Sequence, residues 1–129
     1  MKWHNDGTQP AKDQIWCFGS NLAGVHGAGA AKQAQKFYGA RSGQGVGLRG
    51  RSYAIPTKDF DIETLPLETI SQYVMRFVKF TQENQNAEFF VTRIGCGYAG
   101  YTDKDMAPLF RGCGNNCDFA NDWKAYLDF

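Results

Sequence analysis

A run of small residues stands between an apolar segment and a helix-forming segment near the start of the chain. The apolar run QIWCF (14–18) predicts a buried strand, and AAKQAQKFYG predicts a helix with Gly39 as its C-terminal cap. Between them lie Gly24 and the glycines and alanines of residues 27–31. Bare backbone at a helix N-terminus lets an anion reach free N–H groups, although tight turns and close packing also require glycine. The run therefore predicts either a ligand loop or a tightly packed turn.

The same arrangement recurs later in the chain. EFFVTRIG (88–95) predicts a strand, CGYAGY forms a second glycine turn, and DKDMAPLFRG predicts a short helix capped by Thr102 or Asp103 and ended by Gly112. Two such loops on neighbouring strands can hold a diphosphate between them. Neither matches a Walker loop, because no GK[ST] follows, and the first lacks the spacing of the dinucleotide fingerprint.

Between the two glycine loops lie a further strand and the clearest helix of the sequence. YAIPTK (53–58) predicts a strand stopped by Pro56. LPLETISQYVMRFVKFTQEN predicts a helix, since Ile70, Val74 and Phe77 recur at helical spacing. Strands that alternate with helices predict an α/β fold with a largely parallel sheet, in which ligands bind at the carboxyl ends of the strands.

Three further segments complete the pattern. Residues 1–13 are polar and predict a leading loop or short edge strand. Residues 40–52 contain five glycines and predict a long loop, which either meets a phosphate through its arginines or is simply solvated. Residues 113–129 predict a C-terminal tail that packs on the core. The arginines are Arg41, Arg49 and Arg51, and the apolar anchors of the tail are Trp123, Tyr126 and Phe129.

Composition restricts the class of protein. The 129 residues predict a single domain, 1–129, with one buried core. Charged residues make up 21% and hydrophobic residues 43%, as in ordinary soluble proteins, and a net charge of +1 predicts weak general affinity for nucleic acid. The sequence shows no signal peptide and no long apolar run, so we expect a cytoplasmic protein without a membrane partner.

The four cysteines predict reduced thiols, because a domain of this size with a good core does not depend on disulfides. Cys113 and Cys117 have the spacing of half a zinc site, but no second half lies near them in sequence. We therefore predict no metal site and no cofactor.

Three motifs together resemble one protein family. FGSNLAGVHGAGAAKQAQKFYG resembles the first ligand loop of macrodomains, and VTRIGCGYAG resembles the second loop of the branch that includes the terminal ADP-ribose glycohydrolases. YAIPTK resembles the central strand of that branch, and a similar Pro-Thr-Lys occurs in the antitoxin macrodomains that remove ADP-ribose from DNA. The resemblance covers about residues 14 to 111. It implies a macrodomain-like three-layer α/β/α fold with a mixed, largely parallel central sheet and a cleft for ADP-ribose.

The resemblance also implies positions for the ligand. The diphosphate would lie on Gly27, Ala28 and Gly29, with Asn21 near the distal ribose. His26 would either donate a hydrogen bond to the ligand or be exposed and idle. The second turn would close over phosphate and ribose with Gly95, Cys96, Gly97, Tyr98, Ala99 and Gly100.

Lys58 is the catalytic candidate that the resemblance implies. Hydrolysis of a glycosidic bond makes the anomeric carbon oxocarbenium-like, so a nucleophile or a positioned water helps. A lysine acts as a nucleophile only when it is desolvated or lies near other positive charge, and we expect Arg41, Arg49 and Arg51 to supply that charge. Alternatively, Lys58 is a surface lysine that pairs with Asp59 or Asp61.

One departure changes what the resemblance implies. Terminal ADP-ribose glycohydrolases place an aspartate just after IGCG, whereas here the turn continues as Tyr98-Ala99-Gly100 and the nearest acids are Asp103 and Asp105. This moves the expectation toward the antitoxin-like branch. We expect a glycohydrolase whose partner is ADP-ribose or an ADP-ribosylated macromolecule, with nucleic acid only as a modified substrate. The alternatives are a non-catalytic protein that reads or sequesters ADP-ribose or a related NAD-derived nucleotide, and a phosphatase acting on ADP-ribose phosphate.

Overall fold

The structure, a computed structural model of the chain, describes residues 1–128. Its six strands form one sheet in the order β1-β6-β5-β2-β4-β3. The strands are β1 (Lys2–His4), β2 (Gln14–Asn21), β3 (Gly47–Arg49), β4 (Ser52–Lys58), β5 (Glu88–Val91) and β6 (Cys117–Ala120). The helices are α1 (Gly29–Phe37), α2 (Leu67–Glu83), α3 (Asp103–Met106) and α4 (Lys124–Leu127), with 3₁₀ turns at Ala107–Phe110 and Asn121–Trp123.

The sheet is mixed and largely parallel. The strands pair in parallel throughout, except that β3 runs antiparallel to β4. The longest strand, β2, lies at the centre between β4 and β5. The α/β class and the largely parallel sheet predicted from the alternation of strands and helices are confirmed.

Helices cover both faces of the sheet because the buried residues of β2 alternate between them. Trp16 and Phe18 pack with Ala34 of α1 on one face. Cys17 points to the opposite face, which is covered by α2 and by the helical turns of the C-terminal half. In α2 the buried residues recur every three or four positions, as the sequence predicted. They are Ile70, Val74, Phe77 and Thr81.

Two sequence predictions in the central part of the chain are wrong. Pro56 does not stop β4, which continues to Lys58. β3 pairs only as far as Ala54, and the next bridge on that side joins Lys58 to Thr64, so Pro56 lies between the two pairings, where a residue without an N–H is tolerated. The long loop predicted for residues 40–52 contains the short strand β3, which no alternation in the sequence reveals.

The two ends of the chain join the sheet. Residues 1–13 supply the edge strand β1, one of the two predicted alternatives. The predicted tail contains β6, which is fully buried between β1 and β5, so it does more than pack on the core. Trp123 is buried and Tyr126 is half-buried against the core, while the expected anchor Phe129 lies outside the described residues.

The connections after neighbouring strands leave the sheet on opposite faces. The chain passes from β2 to α1 on one face, and from β5 to α3 and the following 3₁₀ turn on the other. In open α/β sheets such a divergence leaves a crevice at the carboxyl ends of the strands. Across residues 1–128, none of the helices has the length and apolar character needed to cross a bilayer.

Candidate functional site

A cleft of about 690 Å³ lies at the carboxyl ends of β2, β4 and β5. Its central part is lined by the first glycine loop (residues 22–29) and the second glycine loop (residues 95–100). On the β4 side the cleft reaches Lys58, Ile62 and Tyr98, which we call the Lys58 arm. On the β5 side, where β6 and β1 follow, it reaches an N-terminal arm lined by His4, Asp6, Thr8 and Phe90.

The first glycine loop is held from within by Asn21. Its side-chain amide donates to the Val25 carbonyl at 2.8 Å and accepts from the Val25 N–H at 3.0 Å. The segment that contains Gly43 and Gln44 crosses this loop at Gly24. A Cβ at Gly24 would lie 2.4 Å from backbone atoms of both residues, so only glycine allows the crossing. Asn21 does line the cleft, but its amide is already bonded on both sides. Its place near a ribose stays a prediction.

The end of this loop forms an open cradle at the start of α1. Nothing lies within 4 Å of the position that a Cβ would take at Gly27. Ala28 is the N-cap residue, makes no side-chain capping bond, and no acidic residue stands in the first turn of α1. The free N–H groups and positive end of the helix dipole are therefore neither satisfied nor neutralised by the chain itself. This arrangement suits an anion.

The second glycine loop is built differently. Gly95 has φ +82°, and a Cβ there would lie 2.7 Å from the Met106 sulfur, so this glycine permits close packing on α3. Burial, assisted by the Asp103 carboxylate, raises the pKa of Cys96 to about 12, which keeps its thiol protonated at neutral pH. Gly97 and Ala99 line the cleft, whereas Gly100 does not.

Tyr98 spans the mouth of the cleft. Its side chain is 77% exposed, yet its ring edge lies 3.4 Å from the Cβ position of Gly29, across the cleft. The ring centroid is 5.9 Å from Lys58 Nζ. An exposed aromatic that bridges the two loops and the candidate lysine is placed to contact whatever enters the cleft.

Lys58 lies at the carboxyl end of β4, where its carbonyl accepts the N–H of Leu22 at 2.9 Å. The expected alternative, a pair with Asp59 or Asp61, is not formed among the described ion pairs. Instead, Asp59 accepts the backbone N–H groups of Asp61 and Glu63, at 2.9 and 3.0 Å. These bonds shape the loop after Lys58 and leave its ammonium at the cleft.

The loop arginines expected near Lys58 do not line the cleft. Arg51 lies over the Tyr38 ring, with 5.7 Å from its guanidinium carbon to the ring centroid. The arrangement that the sequence suggested for activating Lys58 is therefore not formed by these residues. Besides Lys58, the cleft is lined by Arg93, a cation that sequence reasoning missed.

His26 takes neither of the two roles expected for it. It is 5% exposed, and its Nε2 donates toward the carbonyls of Arg41 and Gln44, at 3.0 and 3.1 Å. Its ring packs edge-on against Phe18 and does not line the cleft. These carbonyls belong to the segment that crosses the first glycine loop, so the histidine links the two loops. It is therefore neither exposed without a partner nor available to donate this hydrogen bond to a ligand.

Arg93 is held by carboxylates at the floor of the cleft. Its guanidinium donates to both oxygens of Asp103, at 2.9 and 2.7 Å, and to Asp6 at 3.1 Å. The hydrogen bonds with Asp103 raise the pKa of Arg93 and hold the pKa of Asp103 below its ordinary value. Asp103 also accepts from Trp123 Nε1 at 2.8 Å. It is neither a helix cap nor a free catalytic acid, since Thr102 and Asp105 form the capping box of α3.

Sequence reasoning also missed the N-terminal arm. The signal was the polar run HND, because the carboxyl end of a parallel β1 points to the same edge as those of β2 and β5. His4 stacks on Phe90 with ring centroids 3.8 Å apart, and its Nδ1 lies 2.8 Å from Asp118 Oδ1. Within residues 1–128, no three His, Cys, Asp or Glu side chains are grouped to hold a metal ion.

Comparison with protein-family models, with curated proteins and with solved structures gives no match to this chain. Function is therefore argued from the cleft itself. The cleft offers an open helix N-terminus at its centre, one arm with a lysine and an exposed tyrosine, and a second arm with a histidine–carboxylate pair. Such a site can hold a ligand with an anionic centre and two polar or planar ends.

Proposed function

We propose that the chain is a macrodomain-like protein that binds ADP-ribose or a close NAD-derived nucleotide in this cleft. The observation that carries the proposal is the open cradle at Gly27, with the uncapped N-terminus of α1 behind it. A diphosphate is the anion that such a cradle accepts without side-chain charge. The two arms on either side of the cradle would take the two ends of the nucleotide, the distal ribose toward Lys58 and the base toward His4.

We further propose that the protein removes ADP-ribose from a modified macromolecule, with Lys58 at the reacting carbon. In the net reaction, the bond between the anomeric carbon and the macromolecule breaks. Water supplies a hydroxyl to that carbon and a proton to the released macromolecule. The position of Lys58 beside the exposed Tyr98 supports this role, because both side chains stand where the attached macromolecule would enter. Contact with the oxocarbenium-like carbon is what such a reaction requires of the protein.

Calorimetric titration with ADP-ribose, beside AMP and NAD, tests the binding proposal. Micromolar binding that is selective for ADP-ribose is the expected result. Absence of binding to ADP-ribose at millimolar concentration would show that the cleft takes another ligand. This experiment comes before any assay of turnover, because it does not depend on the identity of the modified macromolecule.

Replacement of Lys58 by alanine tests catalysis. We expect release of ADP-ribose from ADP-ribosylated protein or DNA to fall by about 100-fold or more, while ADP-ribose binding changes little. Lys79→Ala, at an exposed position of α2 outside the cleft, is the matched control. Equal turnover by the Lys58→Ala variant and the control would remove Lys58 from the mechanism.

A non-catalytic reader of the same ligand is the second candidate. One observation favours it: the three loop arginines lie outside the cleft, and the Arg93 guanidinium is engaged by carboxylates. Lys58 therefore lacks the neighbouring free cation that would help to activate it. Tight ADP-ribose binding by the wild-type protein without release from any modified substrate would establish this candidate over the hydrolase.

A further inference from the structure

The N-terminal arm contains a built hydrogen-bonding site that the proposed reaction at Lys58 does not use. Asp118 of β6 is 7% exposed and both of its oxygens accept hydrogen bonds. Oδ1 lies 2.8 Å from His4 Nδ1, and Oδ2 lies 2.9 Å from Gln14 Nε2. The His4 side chain is itself only 9% exposed. The pair is therefore fixed in the wall of the cleft and is not a surface contact.

Neighbouring groups determine the direction of each hydrogen bond. The Ala11 N–H donates to Gln14 Oε1 at 2.8 Å, so the Gln14 amide must turn its NH₂ group toward Asp118. The same NH₂ group donates to Glu88, which in turn pairs with Lys2. Asp118, as a carboxylate, can only accept, and His4 Nδ1 must therefore carry a proton. In neutral His4 the other ring nitrogen, Nε2, then presents a lone pair.

Nε2 of His4 has no hydrogen-bond partner within residues 1–128. It is not among the fully enclosed side-chain atoms that lack a partner, so it remains accessible. His4 lines the cleft, and its ring plane is held by the stack on Phe90. A largely buried ring with one unpaired, accessible acceptor in the lining of a cavity can take a hydrogen bond from a donor on the molecule that fills the cavity.

We propose that His4 is a specificity-determining residue that accepts a hydrogen bond from an exocyclic amino group on the base of the bound nucleotide, with its tautomer set by Asp118. The inference rests on the proposed function, because it assumes that the nucleotide base occupies the N-terminal arm. A base with an oxo group at the same position places an acceptor against an acceptor. Such a mismatch leaves both groups unpaired and weakens binding.

The first test needs no variant and compares two ligands by calorimetry. The probes are ADP-ribose and inosine diphosphate ribose, in which an oxo group replaces the amino group of adenine. We expect ADP-ribose to bind at least about tenfold more tightly. Equal affinity for both would overturn the inference and leave the proposed function standing. Binding of neither would overturn both.

The second test reverses the tautomer. In Asp118→Asn the new carbonyl faces the NH₂ group of Gln14, so the new amide NH₂ donates to His4 Nδ1 and the ring proton moves to Nε2. Preference should then pass to inosine diphosphate ribose. If the pair had only a structural role, Asp118→Asn would weaken the binding of both ligands equally and keep the ratio of their affinities. That result would overturn the tautomer mechanism.

Two further variants keep the test decisive. Asp13→Asn removes an exposed carboxylate outside the cleft and should keep the wild-type ratio. His4→Phe retains a ring that can stack on Phe90 but has no acceptor, so the two ligands should bind with similar affinity. If Asp118→Asn does not unfold cooperatively, the His4→Phe ratio decides the question. A preserved preference for ADP-ribose in that variant would refute the role of His4.

Discussion

The two glycine loops look alike in sequence, but their glycines have different roles. At Gly27 in the first loop, the space around the missing side chain is empty, and the glycine itself lines the cleft. At Gly95 in the second loop, the same space is filled by Met106 of α3, and the backbone has φ +82°. The first loop exposes backbone to a ligand, whereas the start of the second loop brings backbone close to the core.

This difference shows why glycine content alone does not identify a binding loop. A glycine can be required by a ligand, by a neighbouring residue or by its own backbone conformation. Gly29 combines two of these, since its φ is +57° and its Cβ position faces Tyr98 at 3.4 Å. A substitution at Gly29 would therefore strain the start of α1 as well as obstruct the cleft. Gly27 is the cleaner place to test the cradle.

The largest effect is expected for Gly27→Val. The added Cβ would have no protein atom within 4 Å, and the side chain would obstruct the cradle proposed for the diphosphate, so the Kd for ADP-ribose should rise about 100-fold or more. The thermal unfolding midpoint should stay close to that of the wild type. Titration calorimetry and a thermal melt on the same sample measure the two effects separately.

The control for this variant is Ala125→Val, which introduces the same side chain at an exposed position of α4. It should leave the Kd unchanged. If Gly27→Val binds ADP-ribose as well as the wild type does, the first loop is not a diphosphate cradle. The contrast between the two loops would then be one of packing only.

The second loop should respond in the opposite way. Gly95→Ala places a methyl group 2.7 Å from the Met106 sulfur and requires a non-glycine residue at φ +82°. Because Met106 is fully buried, we expect the free energy of unfolding to fall by about 2–4 kcal/mol. Denaturant unfolding followed by fluorescence measures this loss.

The double variant Gly95→Ala/Met106→Ala sharpens this prediction. Removing the methionine side chain relieves the clash but leaves the backbone strain. The double variant should therefore lose less free energy of unfolding than the two single variants lose in sum. Strict additivity would mean that the clash is absorbed elsewhere. Gly95 would then be required for its backbone conformation alone.

The parts of the fold that the sequence predicts are those with strong local signals. The apolar residues of α2, such as Ile70 and Val74, recur at helical spacing, and their burial follows from that spacing alone. The positions of both glycine loops, each after a central strand and before a helix, follow from the order of the elements. The position of Lys58 at the carboxyl end of β4 was implied by the family resemblance, whereas the local signal of Pro56 would have ended the strand earlier.

The parts that could not be predicted depend on residues far apart in sequence. β3 and β6 are three and four residues long, and they exist as strands only because β4, β1 and β5 pair with them. The same reason hid the His4–Asp118 pair, whose members are 114 residues apart. It also hid the role of His26, whose partners belong to a crossing loop.

The smallest effect concerns the anchor of the second loop. Asp103 joins Arg93, the second residue after β5, to Trp123 in the last part of the chain. Asp103→Asn loses the charge of a carboxylate that accepts three hydrogen bonds, so the free energy of unfolding at neutral pH should fall by about 1–3 kcal/mol. ADP-ribose affinity should change far less than in Gly27→Val, because the first loop keeps its cradle.

The pH dependence of this loss identifies its cause. The pKa of Asp103 is lowered in the folded protein from 3.8, chiefly by the hydrogen bonds from Arg93. The carboxylate therefore stabilises the fold fully above its unfolded pKa, and this contribution disappears as the pH falls through the lower folded value. The difference in the free energy of unfolding between wild type and Asp103→Asn should be largest at neutral pH and should shrink in acid. Asp61→Asn, at an exposed position, should show no such trend. A constant difference across the titration would mean that packing, and not the charge of Asp103, anchors the second loop.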